Sequence, residues 1–278
     1  MALYSVVTGD QSSPPRRIII TGASSGIGQA TARRLSDRDT TIVNLDLADG
    51  AGTAEQCKGR FHTVIADMGD AKSVSEGFRE ADRLLEGEAP DLLVCCAALS
   101  RASRFLEAPL YDLDLMLKVN VRGTFLCCQE AGRRMAAKRS GKIVVITSLC
   151  AVQGWALESI YCVTKGAQQS IVQSAAVELA PMGILVNAVA PGIIENTGDS
   201  MAKTREDPDV FRHEMERTPV GRCGTPAEVA DAVHFLANAT WMTGQTLYLD
   251  GGFMATGLAY IGKTRKWPGE TGAGSPES

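Results

Sequence analysis

The chain has 278 residues, of which 45% are hydrophobic and 22% charged, and its net charge is −4. That is ordinary globular composition, enough for one large domain or two small ones. It gives no sign of a basic nucleic-acid surface, and no apolar run approaches the roughly 18 residues that cross a bilayer. The opening stretch, MALYSVVTGDQSSPP, lacks a basic segment followed by a long apolar one, so no signal peptide is expected. The eight cysteines are scattered, several in apolar runs, and form no Cys-x-x-Cys; they read as reduced, buried thiols of a cytoplasmic protein. His62, His213 and His234 lie far apart in sequence and make no metal signature.

Residues 1–15 are polar, end in SSPP and read as a flexible lead. Arg17 to Ile20 is a short β-branched run that breaks into Thr21-Gly22-Ala23-Ser24-Ser25-Gly26-Ile27-Gly28, and a helical stretch follows. Strand, glycine turn and helix together make a phosphate-binding motif credible. Glycine tolerates positive φ and close approach of a phosphate, and the helix N-terminus offers free N–H groups to it. A second strand, 41–45, ends in Asp46, 18 residues after Gly28. An acid there can accept from the ribose hydroxyls of an adenosine and would repel a 2′-phosphate, which favours NAD over NADP; Asp49 is a nearby competitor.

Further strands are expected at 61–66, 92–96, 142–146, 184–189 and 246–249, with helices over 71–87, 108–138, 159–180 and 225–237. The strands are continuously apolar, as when both faces are covered. The pattern predicts one domain over 16–261, an α/β doubly wound, Rossmann-like sheet of seven parallel strands with helices on both faces. Residues 193–218 are polar and read as a mobile flap, and 262–278 as a disordered tail.

Within the 159–180 helix, Tyr161 and Lys165 are four apart and so share a face. A tyrosine is a poor base at neutral pH, with a pKa near 10, and a close ammonium would favour its phenolate. That makes a proton donor and acceptor with its own tuning group; a plain core tyrosine beside an exposed lysine is the competing reading.

Together these motifs resemble the short-chain dehydrogenase/reductase family, in its single-domain branch of about 250 residues, over residues 16–253. Thr21-Gly22-x-x-x-Gly26-x-Gly28 matches the family's cofactor loop, and Asn120, Ser148, Tyr161 and Lys165 fall in its order, Ser148 thirteen residues before Tyr161. Pro191-Gly192 and Asp250-Gly251-Gly252 match its later landmarks. The resemblance implies hydride transfer between a nicotinamide and an alcohol or ketone carbon. Tyr161 would act as base, Lys165 would tune it and hold the nicotinamide ribose, Ser148 would bind the substrate oxygen, and Asn120 would position a water. It implies a cofactor site of Gly22, Ser24, Ser25, Gly26, Ile27, Gly28, Asp46, Leu47, Asp67, Met68, Cys96, Ala97, Ala98, Tyr161, Lys165, Pro191, Gly192 and Ile194. Substrate would lie on Ser148, Cys150, Trp155 and Tyr161. It also implies a homotetramer built on the 108–138 and 160–181 helices.

Two departures stand out. Cys95-Cys96-Ala97-Ala98 replaces the family's usual Asn-Asn-Ala-Gly, and the Thr often five residues past the proline is Asn196. Polar contacts offered by Gln153, Trp155, Glu158, Glu195 and Asn196 favour a small polar or polyhydroxylated alcohol such as a sugar, sugar acid or cyclitol. Ketone or 3-oxoacyl thioester reduction and a non-catalytic NAD-binding regulator are the alternatives.

Overall fold

The computed structural model describes residues 13–195 and 208–256. The expected lead up to residue 12, the flap between 196 and 207, and everything past 256, including the tail, lie outside the described residues. Seven parallel strands form one sheet: β1 (Arg17–Thr21), β2 (Thr41–Asp46), β3 (Arg60–Ile65), β4 (Leu92–Cys95), β5 (Gly141–Ile146), β6 (Ile184–Pro191) and β7 (Thr246–Leu249). Their order is β3-β2-β1-β4-β5-β6-β7, so the chain reverses its direction of winding between β1 and β4. Ligands of doubly wound sheets bind at the carboxyl ends of strands at such a switch point.

The helices are α1 (Gly26–Leu35), α2 (Ala51–Ala54), α3 (Ala71–Leu84), α4 (Leu110–Met116), α5 (Thr124–Lys138), α6 (Ser159–Leu179), α7 (Pro208–Glu216) and α8 (Pro226–Asn238). Their starts are written locally. The Asp70 carboxylate accepts from Ser73 N at 2.7 Å to cap α3. Thr225 and Glu228 form a reciprocal capping box with Pro226 in the first turn of α8. The expected 108–138 helix is broken: a π-helical segment, Leu117–Gly123, separates α4 from α5. Part of the expected flap, from Pro208, is the helix α7.

Two cores flank the sheet. One holds Ile19, Leu45, Phe78, Cys95, Met135 and Val145; the other holds Ile18, Ile20, Ile42, Val94, Val144 and Val233. Alternate residues of one strand serve opposite cores, because side chains alternate across a strand. Cys95 and Cys96 obey this: Cys95 is in the first core and Cys96 packs against the second. All eight cysteines are free thiols. At the amino edge of the sheet, Asp91 accepts from the backbone and guanidinium of Arg17 and from Lys138 Nζ at 2.6 Å, joining β1, β4 and α5.

Candidate active site

The carboxyl ends of β1, β2, β4, β5 and β6 open into one cavity of about 960 Å³. At one end is the β1–α1 turn. Gly22 has φ +78°, and a Cβ there would stand 2.8 Å from the backbone of Ala97. A Cβ on Gly28 would fall 2.0 Å from the Gly22 carbonyl oxygen, so α1 can pack against its own turn only as glycine. The N-cap Ser25 makes no side-chain cap bond, and the first turn of α1 carries no acid. Its free N–H groups therefore face the cavity at Ser25, Gly26, Ile27 and Gly28, a cradle suited to a phosphate.

Two polar side chains hold this cradle, Thr21 of the motif itself and Asn44, which the motif reading passed over. Asn44 is fully buried; its Oδ1 accepts from Ala23 N at 2.8 Å and its Nδ2 donates to Ser24 Oγ at 3.0 Å. Thr21 Oγ1 accepts from both Cys96 N and Ala97 N at 3.1 Å, which ties the departing segment to β1 through its backbone. For Asn44, a polar residue inside an otherwise apolar strand was the only signal. Ser24 spends its hydroxyl on Ala48 O and is the one predicted loop residue that does not line the cavity. Asp46 does line it, while its carboxylate accepts from Ser24 N at 3.0 Å and Ala48 N at 3.2 Å.

The other predicted residues converge. Leu47, Asp67, Met68, Cys96, Ala97, Ala98, Pro191, Gly192 and Ile194 line the same space as Ser148, Cys150, Trp155, Tyr161 and Lys165. Gln153 and Glu195 do not, whereas Glu158 and the unpredicted Leu99, Leu115 and Glu214 do. Trp155 stacks on Phe253 with ring centroids 5.4 Å apart, so the stretch after Asp250-Gly251-Gly252 begins by backing its own cavity wall.

Ser148 sits at the end of β5 in extended backbone, and its Oγ accepts from Cys150 N at 3.2 Å. Its hydroxyl is near enough to the Tyr161 phenol to favour the phenolate. Lys165 is buried, and its Nζ donates to Ile146 O at 2.8 Å. Burial pulls its pKa down to about 8. Burial pushes the Tyr161 phenol well above 10, and the Cys150 thiol and Glu158 carboxylate push it further, while the Ser148 hydroxyl opposes them. The expected tuning by Lys165 is thus not what sets Tyr161 in the protein alone, because the ammonium faces the ring and a backbone carbonyl.

Asn120 is placed differently from the expectation. It is fully buried and does not line the cavity. Its Oδ1 accepts from Leu99 N at 2.8 Å, and its Nδ2 donates to Leu99 O at 2.7 Å and Thr164 Oγ1 at 3.1 Å. Its carbonyl, within the π-helical segment, accepts from Thr124 Oγ1 at 2.7 Å and Gln168 Nε2 at 2.8 Å. Asn120 therefore anchors the 96–100 loop to α6.

A family model described as enoyl-(acyl carrier protein) reductase matches residues 22–254. The chain is 36% identical over 251 residues to cis-4-hydroxycyclohexanecarboxylate dehydrogenase of Sinomonas cyclohexanicum, covering 86% of this chain and 97% of that one. It is 35% identical over 242 residues to 3-oxoacyl-[acyl-carrier-protein] reductase FabG of Aquifex aeolicus, covering 84% and 95%. The chain belongs to the short-chain dehydrogenase/reductase family. Among solved members, a gluconate 5-dehydrogenase from Burkholderia cenocepacia in complex with NADP and tartrate superposes with a TM-score of 0.78 at 27% identity, covering 88% of this chain and 97% of that one. The family fold and its NAD(P)-linked oxidoreductase chemistry therefore extend over the described domain.

Proposed function

We propose that the protein is an NAD-preferring dehydrogenase that interconverts a polar secondary alcohol and its ketone. The observation that carries this is the meeting of Ser148, Tyr161 and Lys165 in the cavity that begins at the phosphate cradle. The cradle fits a dinucleotide: open N–H groups at α1, close-packed glycines and a carboxylate at the end of β2. When bound, the nicotinamide supplies the hydride acceptor or donor. Tyr161 Oη exchanges the proton of the substrate hydroxyl. Ser148 Oγ hydrogen-bonds the substrate oxygen and stabilises the charge that grows there. Lys165 keeps positive charge on the same helix face. Leu99, Leu115 and Trp155 exclude water from the reacting carbon. Asp46 favours NAD, since its carboxylate would face a 2′-phosphate.

Titrating NADH and NADPH separately by fluorescence and then screening secondary alcohols for dinucleotide reduction tests the reading. Weak binding of both dinucleotides would defeat it. The FabG relative favours reduction of a 3-oxoacyl thioester as the second reading, for which tighter NADPH binding is expected. A purely regulatory NAD-binding role is opposed by the Ser148, Tyr161 and Lys165 set in one cavity.

We further propose a homotetramer. Phe125 on α5, Val163 and Val177 on α6, and Tyr248 on β7 are all exposed. Covering those faces would bury them between copies. Sedimentation as a single 29.5 kDa species would rule this out. No helix of the described residues is long and apolar enough to cross a membrane. The free thiols suit a reducing compartment, and we place the protein in the cytoplasm.

A further inference from the structure

Glu158 is a largely buried acid with no ion pair among the described residues. It stands three residues before Tyr161, at the start of α6, and 8% of its surface is exposed. A buried carboxylate is costly unless its oxygens are paired. Oε2 accepts from Ser100 Oγ at 2.8 Å, while Oε1 takes no hydrogen bond from the described residues. Both residues line the cavity. The backbone is fixed on both sides: Glu158 N donates to Trp155 O at 3.2 Å, and Glu158 O accepts from Cys162 N at 2.8 Å. The carboxylate is close enough to act on both the Tyr161 phenol and the Cys150 thiol. It therefore lies within electrostatic reach of the place where the substrate oxygen reacts.

The rest of the lining sharpens this. Among the described residues, the cavity carries the acids Asp46, Asp67, Glu158 and Glu214, and its one cationic side chain is Lys165. The Lys165 ammonium already donates to Ile146 O. No described arginine stands in the cavity to receive a substrate carboxylate.

Resting on the alcohol-dehydrogenase reading above, we infer that Glu158 is a specificity-determining residue that receives a hydroxyl or ammonium donor carried near the substrate's reacting carbon. The substrate is then a neutral polyol or an amino alcohol, and not an acid. A donor satisfies the open Oε1. A carboxylate in the same place sets a second negative charge beside it, in surroundings that screen poorly.

The test uses three compounds of one carbon skeleton: galactitol, 1-amino-1-deoxygalactitol and galactonate. Turnover with NAD and with NADP is measured for the whole protein and for Glu158→Gln and Glu158→Asp. Binding is followed in parallel by tryptophan fluorescence, since Trp155 lines the cavity. The wild type is expected to favour amine and polyol over acid by roughly tenfold or more in kcat/KM. Glu158→Gln should shrink the amine-to-acid ratio by about tenfold, chiefly through KM, and Glu158→Asp should keep the order. An acid accepted as well as the polyol overturns the inference, as does a ratio unchanged in a Glu158→Gln protein that melts like wild type. If none of the three is turned over, the fluorescence ranking decides: an acid that binds as tightly as the amine, or binding by none, also overturns it. The underlying reading fails separately, if both dinucleotides bind weakly or no secondary alcohol reduces either of them.

Discussion

The ammonium of Lys165 lies over the ring of Tyr161, 5.3 Å from its centroid, and donates to the Ile146 carbonyl at 2.8 Å. The pair shares a helix face, and the charge stands over the π-face. In the protein alone, burial and the neighbouring Cys150 and Glu158 dominate the phenol and hold its proton on. The rate of alcohol oxidation, which needs the phenolate, should therefore climb with pH to the limit of stability, while ketone reduction should stay flat. Tyr161→Phe should lower kcat by about 10²–10⁴ and leave dinucleotide affinity within about twofold. A pH–rate profile in both directions, with fluorescence titration of the variant, checks this.

Lys165 makes the fold itself pH-sensitive. Its folded pKa of about 8 lies below the ordinary lysine value of 10.5, so folding disfavours its charged form. Below pH 8 the residue is charged in both states and the full cost of burying the charge is present. Between 8 and 10.5 the unfolded chain binds the extra proton, so this contribution to stability rises with pH. Lys165→Met should be more stable than wild type by about 3 kcal/mol near pH 7, with the gap closing toward pH 10. Denaturant unfolding of both proteins across that range reads the difference.

Asp91 works in the opposite sense. Burial alone would raise its pKa, but hydrogen bonds from Arg17 and Lys138 outweigh it and bring the value to about 2. The stabilisation is present above the ordinary carboxylate pKa and is lost as the pH falls through the region of 4 to 2. Asp91→Asn should cost about 2 kcal/mol at neutral pH and flatten the acid limb of the stability curve. Activity of the folded variant should be unchanged, because the residue lies at the edge of the sheet away from the cavity.

Asn120 is bound to Leu99 by a donor and an acceptor at once, and to Thr164 by a third bond. Asn120→Ala leaves the Leu99 N–H and C=O unpaired beneath the cavity wall. Expected are a loss of about 2–3 kcal/mol in stability and weaker dinucleotide binding, since Ala97 and Ala98 adjoin the loosened loop. Thr164→Val keeps both Leu99 bonds and removes the third, together with the bond that Thr164 Oγ1 donates to Tyr161 O at 2.8 Å, and should cost about 1–2 kcal/mol. Thermal melts and dinucleotide titrations of the two variants separate the contributions.

Much of this was legible in the chain because period and local chemistry carry it. Continuous apolar runs marked the seven strands, the glycine turn lay between strand and helix, and Tyr161 and Lys165 were a helical turn apart. What stayed hidden depends on contacts remote in sequence. The π-helical segment at Leu117–Gly123 adds no distinctive residue to an otherwise helical run, yet it turns the Asn120 carbonyl toward Gln168. The role of Asn44 needs Ala23 and Ser24 brought across from the neighbouring turn. Helix α7 is short and charged, so its composition reads as loop while its packing, with Glu214 buried, makes it a helix. The Cys95-Cys96-Ala97-Ala98 departure is plain in the chain, but that Thr21 carries its backbone is not.

Asp46 joins two tasks that a single substitution can separate. Its carboxylate braces the turn through Ser24 N and Ala48 N, and it stands in the cavity where a ribose hydroxyl pair would bind. Asp46→Asn keeps one acceptor for the brace and removes the charge. If the charge selects the cofactor, NADH should weaken by about tenfold while NADPH tightens, because the repulsion of a 2′-phosphate is gone. Asp46→Ala removes the brace as well, and should weaken both dinucleotides relative to Asp46→Asn and lower the melting temperature. Equal losses for NADH and NADPH in Asp46→Asn would show the residue to be only a brace, and the NAD preference would then have to come from elsewhere in the site.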